Sequence, residues 1–261
     1  MDIKSAAHAT FAVTLIVIGI LGWRHGGLSL IGEDLPPGMS ARRALGLLTD
    51  LASIAFGAGL LWRRTAALAA RMLLGASLLW LLVLKLRYVI AAPAAEASYQ
   101  TCGEAAAVTA GAGLLYVVLA SEWERTRIQL ATGQTGLRTF RSLYALALVA
   151  FGLSHLVYRQ LTASLVPAWL PWPAAVADVT GFAYLAAAAG LLLGVYPRLA
   201  AALSALEMSL FTLLVWVPPI IAGHARRFDW NELFISWTLA AAGWVVTDSY
   251  RGRAAVASRR D

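Results

Sequence analysis

The run FGLSHLVYRQLTASLVPAWLPWP (151–173), followed by TGFAYLAAAAGLLLG (180–194), a Pro197-Arg198 turn and LAAALSALEMSLFTLLVWVPP (199–219), decides the fold. Two apolar segments of about 20 residues stand back to back there, each long enough as a helix to cross roughly 30 Å of hydrocarbon. Proline lacks an N–H and restricts the residue before it, so LPWP ends any incoming helix and the next can start just after it. The peptide between His155 and Pro173 holds Leu161, Leu165, Val166, Trp169 and Leu170. It is too apolar for a solvated loop and is expected to fold back into the outer interface as a short lid.

The rest of the chain has the same character. Of 261 residues, 60% are hydrophobic and 13% charged. The apolar residues gather in membrane-length runs, which predicts an all-α polytopic membrane protein. The net charge of +7 would suit nucleic acid if it formed one basic face. The Arg residues lie in pairs between apolar runs instead, where they set topology, so the expected partner is the lipid bilayer and no nucleic acid. MDIKSAAHAT before FAVTLIVIGILGW has a signal-like charge and apolar core, but no small-residue cleavage site precedes Trp23 and Arg24, so it reads as a retained first helix. Cys102 is the only cysteine, which excludes an internal disulfide, a CxxC relay and haem attachment through CxxCH. HExxH, Walker A, GxSxG and a GxGxxG that opens a helix are absent, and the four histidines have no metal-ligand spacing. Neither a self-contained hydrolase or nucleotide enzyme nor a metal site is expected.

Hydropathy predicts eight spans, at about 8–26, 43–62, 66–91, 104–121, 141–158, 173–195, 198–221 and 231–249. SEWERTRIQLATGQTGLRTFR (121–141) is the longest polar stretch and joins two halves. With the N-terminus inside, the larger share of the 21 Lys and Arg falls on inner segments, so both termini are expected in the cytoplasm. Trp23, Trp169, Trp172 and Trp230 then fall at the outer interface, where an amphipathic indole is favoured. The halves also align with a shift of about 130 residues. GWRH with His25 meets GLSH with His155, the corner DLPPG meets WLPWP, TDLASIAFGAGLL meets TGFAYLAAAAGLL, SLLWLLV meets SLFTLLV, and Glu104 meets Glu232. Each repeat has an even number of spans, so the copies insert in the same orientation about an axis along the membrane normal. The expected fold is two parallel-repeat four-helix bundles side by side: a first unit over 1–121, a cytoplasmic linker over 122–140, a second unit over 141–250 and a basic cytoplasmic tail over 251–261.

GLSHL with TASLVPAWLPWP, TGFAYLAAAAGLLLGVYPRLAA and SLFTLLVWVP resembles the DoxX-like family of small bacterial four-helix membrane proteins, over residues 143–247. The likeness extends to 12–121 mainly through the repeat, so the chain looks like a fused tandem. The family's His at the outer end of the first helix and its small-residue second helix match His155 and Gly181 to Gly190, and in the first copy His25 and Gly57 to Gly59. The resemblance implies a bacterial inner-membrane location. Members similar to subunits of thiosulfate:quinone oxidoreductase further imply an accessory subunit that binds a quinone or another lipophilic ligand near the outer leaflet for a redox protein partner. The alternative within the same fold is a non-catalytic lipid-binding, transport or scaffold protein.

Ionisable residues within spans cost roughly 3 kcal/mol each at a helix centre, so each calls for a partner, a wet cavity or a function. By helix rise, His25, Asp50, Lys85, His155 and Asp178 share a level within roughly 10 Å of the outer boundary, whereas Glu207 lies near mid-membrane. Lys85 and Arg87 stand about 200° apart, so only one can face inward. The bland reading pairs Asp50 with Lys85 or Arg87, and Asp178 with His155 or Arg159, as structural ion pairs. In the sharper reading His25 and His155 are quasi-symmetric imidazoles that bind a quinone carbonyl. Haem ligation would need their rings about 4 Å apart across a metal, a geometry that spacing does not supply, and is the less expected alternative. Glu207 has no basic neighbour on its own helix and is expected to face the second unit's interior, neutral, and to donate to Ser204, Thr212 or a backbone carbonyl.

Overall fold

The computed structural model describes residues 5–27 and 39–251; the corner DLPPG (34–38) and nearly all of the expected tail lie outside the described residues. Those described are helical, with no strand among them. Seven helices are long and apolar enough to cross a membrane: α1 (Ala6–Arg24), α2 (Arg42–Leu61), α3 (Ala66–Ala91), α4 (Glu96–Leu119), α5 (Gly133–Val157), α6 (Pro173–Leu193) and α7 (Pro197–Ile221). An eighth long helix, α8 (Arg227–Asp248), carries Asp229, Asn231, Glu232 and Asp248 and is less apolar. Its burial explains that composition. From Leu233 to Thr247 it is enclosed almost throughout by protein, so its side chains need not match lipid.

The ends of these helices follow local chemistry. Ser5 caps α1 by accepting from the His8 N–H, the Asp229 carboxylate accepts from the Arg226 N–H at the start of α8, and Pro173 and Pro197 open α6 and α7. Both prolines are preceded by a non-glycine residue in the left-handed region, Trp172 at φ 53° and Tyr196 at φ 45°. Two helices carry an internal π turn, α3 at Trp80–Lys85 and α7 at Thr212–Trp216.

Two helix starts differ clearly from the hydropathy reading. α4 starts at Glu96 and not near 104, because Glu96, Gln100 and Glu104 turn toward protein and escape the lipid. α5 starts at Gly133, inside the stretch expected to be a linker. That stretch also holds the short helices Glu122–Arg127 and Gln129–Ala131.

The packing differs from two bundles that each close on themselves. α4 and α8 stand at the centre, in contact with each other. α1 packs along α2 and along α8, α5 packs along α6 and along α4, α3 lies on α4, and α7 lies on α8. The first helix of each half therefore seats on the last helix of the other. The main core cluster accordingly runs through both halves, from Phe11 and Leu15 through Leu114 and Leu115 to Tyr144, Leu148 and Val245. Small residues permit the closest approach. A Cβ at Gly57 would run into the Ala12 carbonyl oxygen, and one at Gly19 would stand 2.5 Å from the Asp50 carbonyl oxygen. Leu and Val side chains on α2, α3, α6 and α7, such as Leu48, Leu79, Val179 and Leu213, point outward, as lipid-facing residues should.

Candidate functional site

A cavity of about 260 Å³ opens where α4, α5, α6, α7 and α8 meet. Each helix places its residues by register. α4 contributes Gln100 and Glu104 one turn apart, α5 contributes Phe151, Ser154 and His155, and α6 contributes Tyr184. α7 contributes Met208, Phe211 and Trp216, the last at the end of its π turn, and α8 contributes Phe228, Glu232 and Ser236. The short helix Arg159–Leu165 lays Leu161, Thr162 and Leu165 along the cavity. Part of the segment between His155 and Pro173 is thus helical and lines a cavity.

The wall is aromatic and the polar groups are few. Phe151 and Tyr184 meet edge-on with centroids 6.0 Å apart, Phe211 and Trp216 at 6.1 Å, and Trp216 and Phe228 at 5.9 Å. His155 lies edge-on to Tyr184, 5.3 Å between centroids. Its Nδ1–H donates to the Phe151 carbonyl at 2.8 Å, which fixes the ring and leaves Nε2 as the other polar atom. The Ser154 hydroxyl donates to Gln100 Oε1. Lys85 Nζ donates to Glu104 Oε2 at 3.4 Å and stands 5.5 Å from the Trp80 ring centroid. Lys85 is 4% exposed, so its charge is held from behind the carboxylate.

The residues singled out from sequence separate on this structure. His155 lines the cavity, and Lys85 reaches it through Glu104. Arg87 is exposed, with its guanidinium on the Leu84 carbonyl and the Tyr88 hydroxyl, so Lys85 is the inward member of that pair. Asp178 and Arg159 form a two-pronged ion pair at 2.6 and 2.8 Å beside the short helix, the structural reading of that carboxylate. His25 is exposed at the end of α1, stacked 4.3 Å from Trp230, and the structure does not bring it to the cavity with His155. The expectation that both imidazoles act on one ligand is corrected accordingly: His155 lines the cavity and His25 does not.

Two further expectations are corrected. Asp50 is 1% exposed and its Oδ2 has no hydrogen-bond partner. It packs at the α1–α2 contact, away from Lys85, which Glu104 holds. Glu207 does turn inward, yet its buried Oε1 makes no hydrogen bond. Neither hydroxyl expected to receive it does so: Ser204 donates to the Ala201 carbonyl and meets Tyr144, and Thr212 donates to the Met208 carbonyl.

Glu104, Glu232, Tyr184 and Gln100 were not among the sequence candidates. A signal for the two glutamates was present, because the sequence alignment of the two halves sets Glu104 against Glu232, and the structure places both on one cavity. Protein-family models, curated proteins and solved structures contain no match to this chain.

Proposed function

We propose that the chain is a DoxX-like integral membrane protein of the bacterial inner membrane that binds a quinone or another lipophilic ligand near the outer leaflet and serves a redox protein partner. The observation that carries this reading is the cavity: aromatic on its walls, polar at His155, Tyr184, Gln100 and the two glutamates, and flanked by Leu161 and Leu165 of the short helix Arg159–Leu165. Its volume of about 260 Å³ lies just below the roughly 300–1,000 Å³ typical of small-molecule sites. That suits a ring-sized head whose tail leaves toward lipid. Chromatography and mass spectrometry of an organic extract of the purified protein test it. Quinone should be retained by the native chain and lost in His155→Ala, and an extract without quinone, from a protein that also fails to take up decylubiquinone, would overturn it.

The same proposal includes eight spans, both termini in the cytoplasm and a tandem repeat. The repeat is supported by the two π turns, which fall about 130 positions apart in α3 and α7, and by the matched roles of α4 and α8. α8, with 22 residues, rises about 33 Å as a helix and is long enough to span. A C-terminal reporter active only outside the cytoplasm would contradict this topology.

One observation favours a second reading, a proton-linked carrier. Glu207 Oε1 is buried without a partner at mid-membrane depth, where an ionisable side chain is costly. Ligand uptake into proteoliposomes that Glu207→Gln abolishes, while the variant folds normally, would select it over the subunit reading.

A further inference from the structure

We propose that the Trp216 indole N–H is the donor that selects the ligand's head, by pairing with an oxygen carried on a flat ring. The inference rests on the reading of the cavity as a quinone site and names the side chain that tells a quinone carbonyl from bare hydrocarbon. Overall polarity selects nothing here: the lining mixes donors such as Tyr158, Thr162 and the Gln100 amide with acceptors such as Glu104 and Glu232. Trp216 stands apart from them. It lines the cavity, it is 4% exposed, and its Nε1 has no hydrogen-bond partner. An indole N–H only donates, and a buried donor left unpaired is costly, so native structures seldom keep one without a reason.

The packing around the ring limits where an acceptor can come from. Trp216 shares a buried cluster with Ile18, Leu233 and Phe234, and hydrocarbon side chains accept no hydrogen bond. Phe211 and Phe228 meet the indole edge to face and offer only their rings. The cavity that Trp216 also borders is where a stronger acceptor can enter. Its aromatic wall suits a flat ring, and a quinone presents a carbonyl oxygen in the ring plane that accepts from such an N–H. An alkyl chain or a plain aromatic ring presents none. The backbone is built for this placement as well. Trp216 closes the π turn of α7 at Thr212–Trp216, a kind of turn frequent at functional sites, and removing its extra residue would rotate the indole about the helix axis by about 100°.

The test uses the full chain in phosphatidylcholine nanodiscs, titrated calorimetrically with decylubiquinone and with decylbenzene, which has a ring and the tail but no oxygen; empty nanodiscs are subtracted. The native chain should bind decylubiquinone more tightly. Trp216→Phe keeps a ring in the wall and removes the N–H, so it should reduce the ratio of the two affinities by about five- to tenfold, the effect of one hydrogen bond. A packing role alone would shift both probes alike and leave the ratio unchanged. Circular dichroism and gel filtration check folding, and a measurement on the native chain covers a variant that does not fold. With isotope-labelled indoles, one of the ten tryptophan N–H resonances should move downfield with decylubiquinone and not with decylbenzene, since Trp216 is the only tryptophan among the described lining residues. A ratio unchanged in folded Trp216→Phe, equal binding of the two probes, or bound decylubiquinone without a downfield indole shift overturns the proposal and leaves the ligand-site reading standing. Failure of both probes to bind overturns it together with that reading.

Discussion

Glu124 shows how one side chain secures one end of the bundle. Its carboxylate accepts from Arg71 at 2.7 and 2.8 Å, from the Tyr116 hydroxyl at 3.0 Å, and from the Ser121 N–H and hydroxyl at 2.8 and 2.6 Å. These bonds tie α3, α4 and the short helix Glu122–Arg127 to one point, and Ser121 caps that helix in return. The Arg71 guanidinium, helped by the Ser121 and Tyr116 donors, holds the Glu124 carboxyl down at about 2, against an ordinary 4.5. A depressed folded value means that the stabilisation is complete above pH 4.5 and is lost as pH falls through about 2. Glu124→Gln should therefore destabilise the protein at neutral pH by about 1–3 kcal/mol, the cost of leaving buried partners of a charged group unsatisfied. The gap between variant and native protein should narrow between pH 4.5 and 2. Thermal unfolding in detergent across that range checks both statements, and a gap that is constant with pH would show that the charge contributes nothing.

The long helices themselves were legible in the sequence because hydrocarbon thickness and proline chemistry act locally. Apolar runs of about 20 residues mark each span, and Pro173 and Pro197 mark two starts within one residue of their places. What escaped was the identity of each helix's neighbours. Apolar periodicity says that a face avoids water, and in a membrane every face avoids water, so the pattern carries little about which helix meets which. The start of α4 shows the consequence: Glu96, Gln100 and Glu104 look like surface chemistry in sequence, yet they belong to a helix most of whose surface is enclosed by protein. The π turns at Trp80–Lys85 and Thr212–Trp216 were equally hidden, since a single wide turn inside a helix leaves no mark on apolar run length. Their effect is local and definite. One ends at Lys85, which it delivers to Glu104, and the other ends at Trp216, which it delivers to the cavity wall. The candidate site was legible at His155, where the helix-end histidine stood out, and illegible at Tyr184 and the glutamates, which become a site only when α4 joins α5 to α8.

At the scale of the whole molecule, the exchange of first helices between halves decides what can fold alone. α5 opens the second half but packs extensively on α4 of the first, and α1 opens the first half but packs on α8 of the second. Each half deprived of the other exposes a central helix that is built of small and polar residues: Gly103, Gly111 and Gly113 on α4, and Asn231, Thr238 and Gly243 on α8. Such a face suits close contact with another helix and offers lipid little apolar surface. A cut between residues 127 and 133, where only short surface elements join the halves, should therefore leave two pieces that require each other. Expressed separately, each half should aggregate or be degraded; expressed together, they should co-purify as one complex and regain ligand binding, because the cavity takes Gln100 and Glu104 from one half and the rest of its lining from the other. Linkage by the chain raises effective concentration without adding contacts, so the cut complex should melt lower than the intact protein while keeping its ligand selectivity. A second half that is monodisperse, helical and ligand-binding by itself would show that α4 is dispensable and that the halves are independent bundles after all.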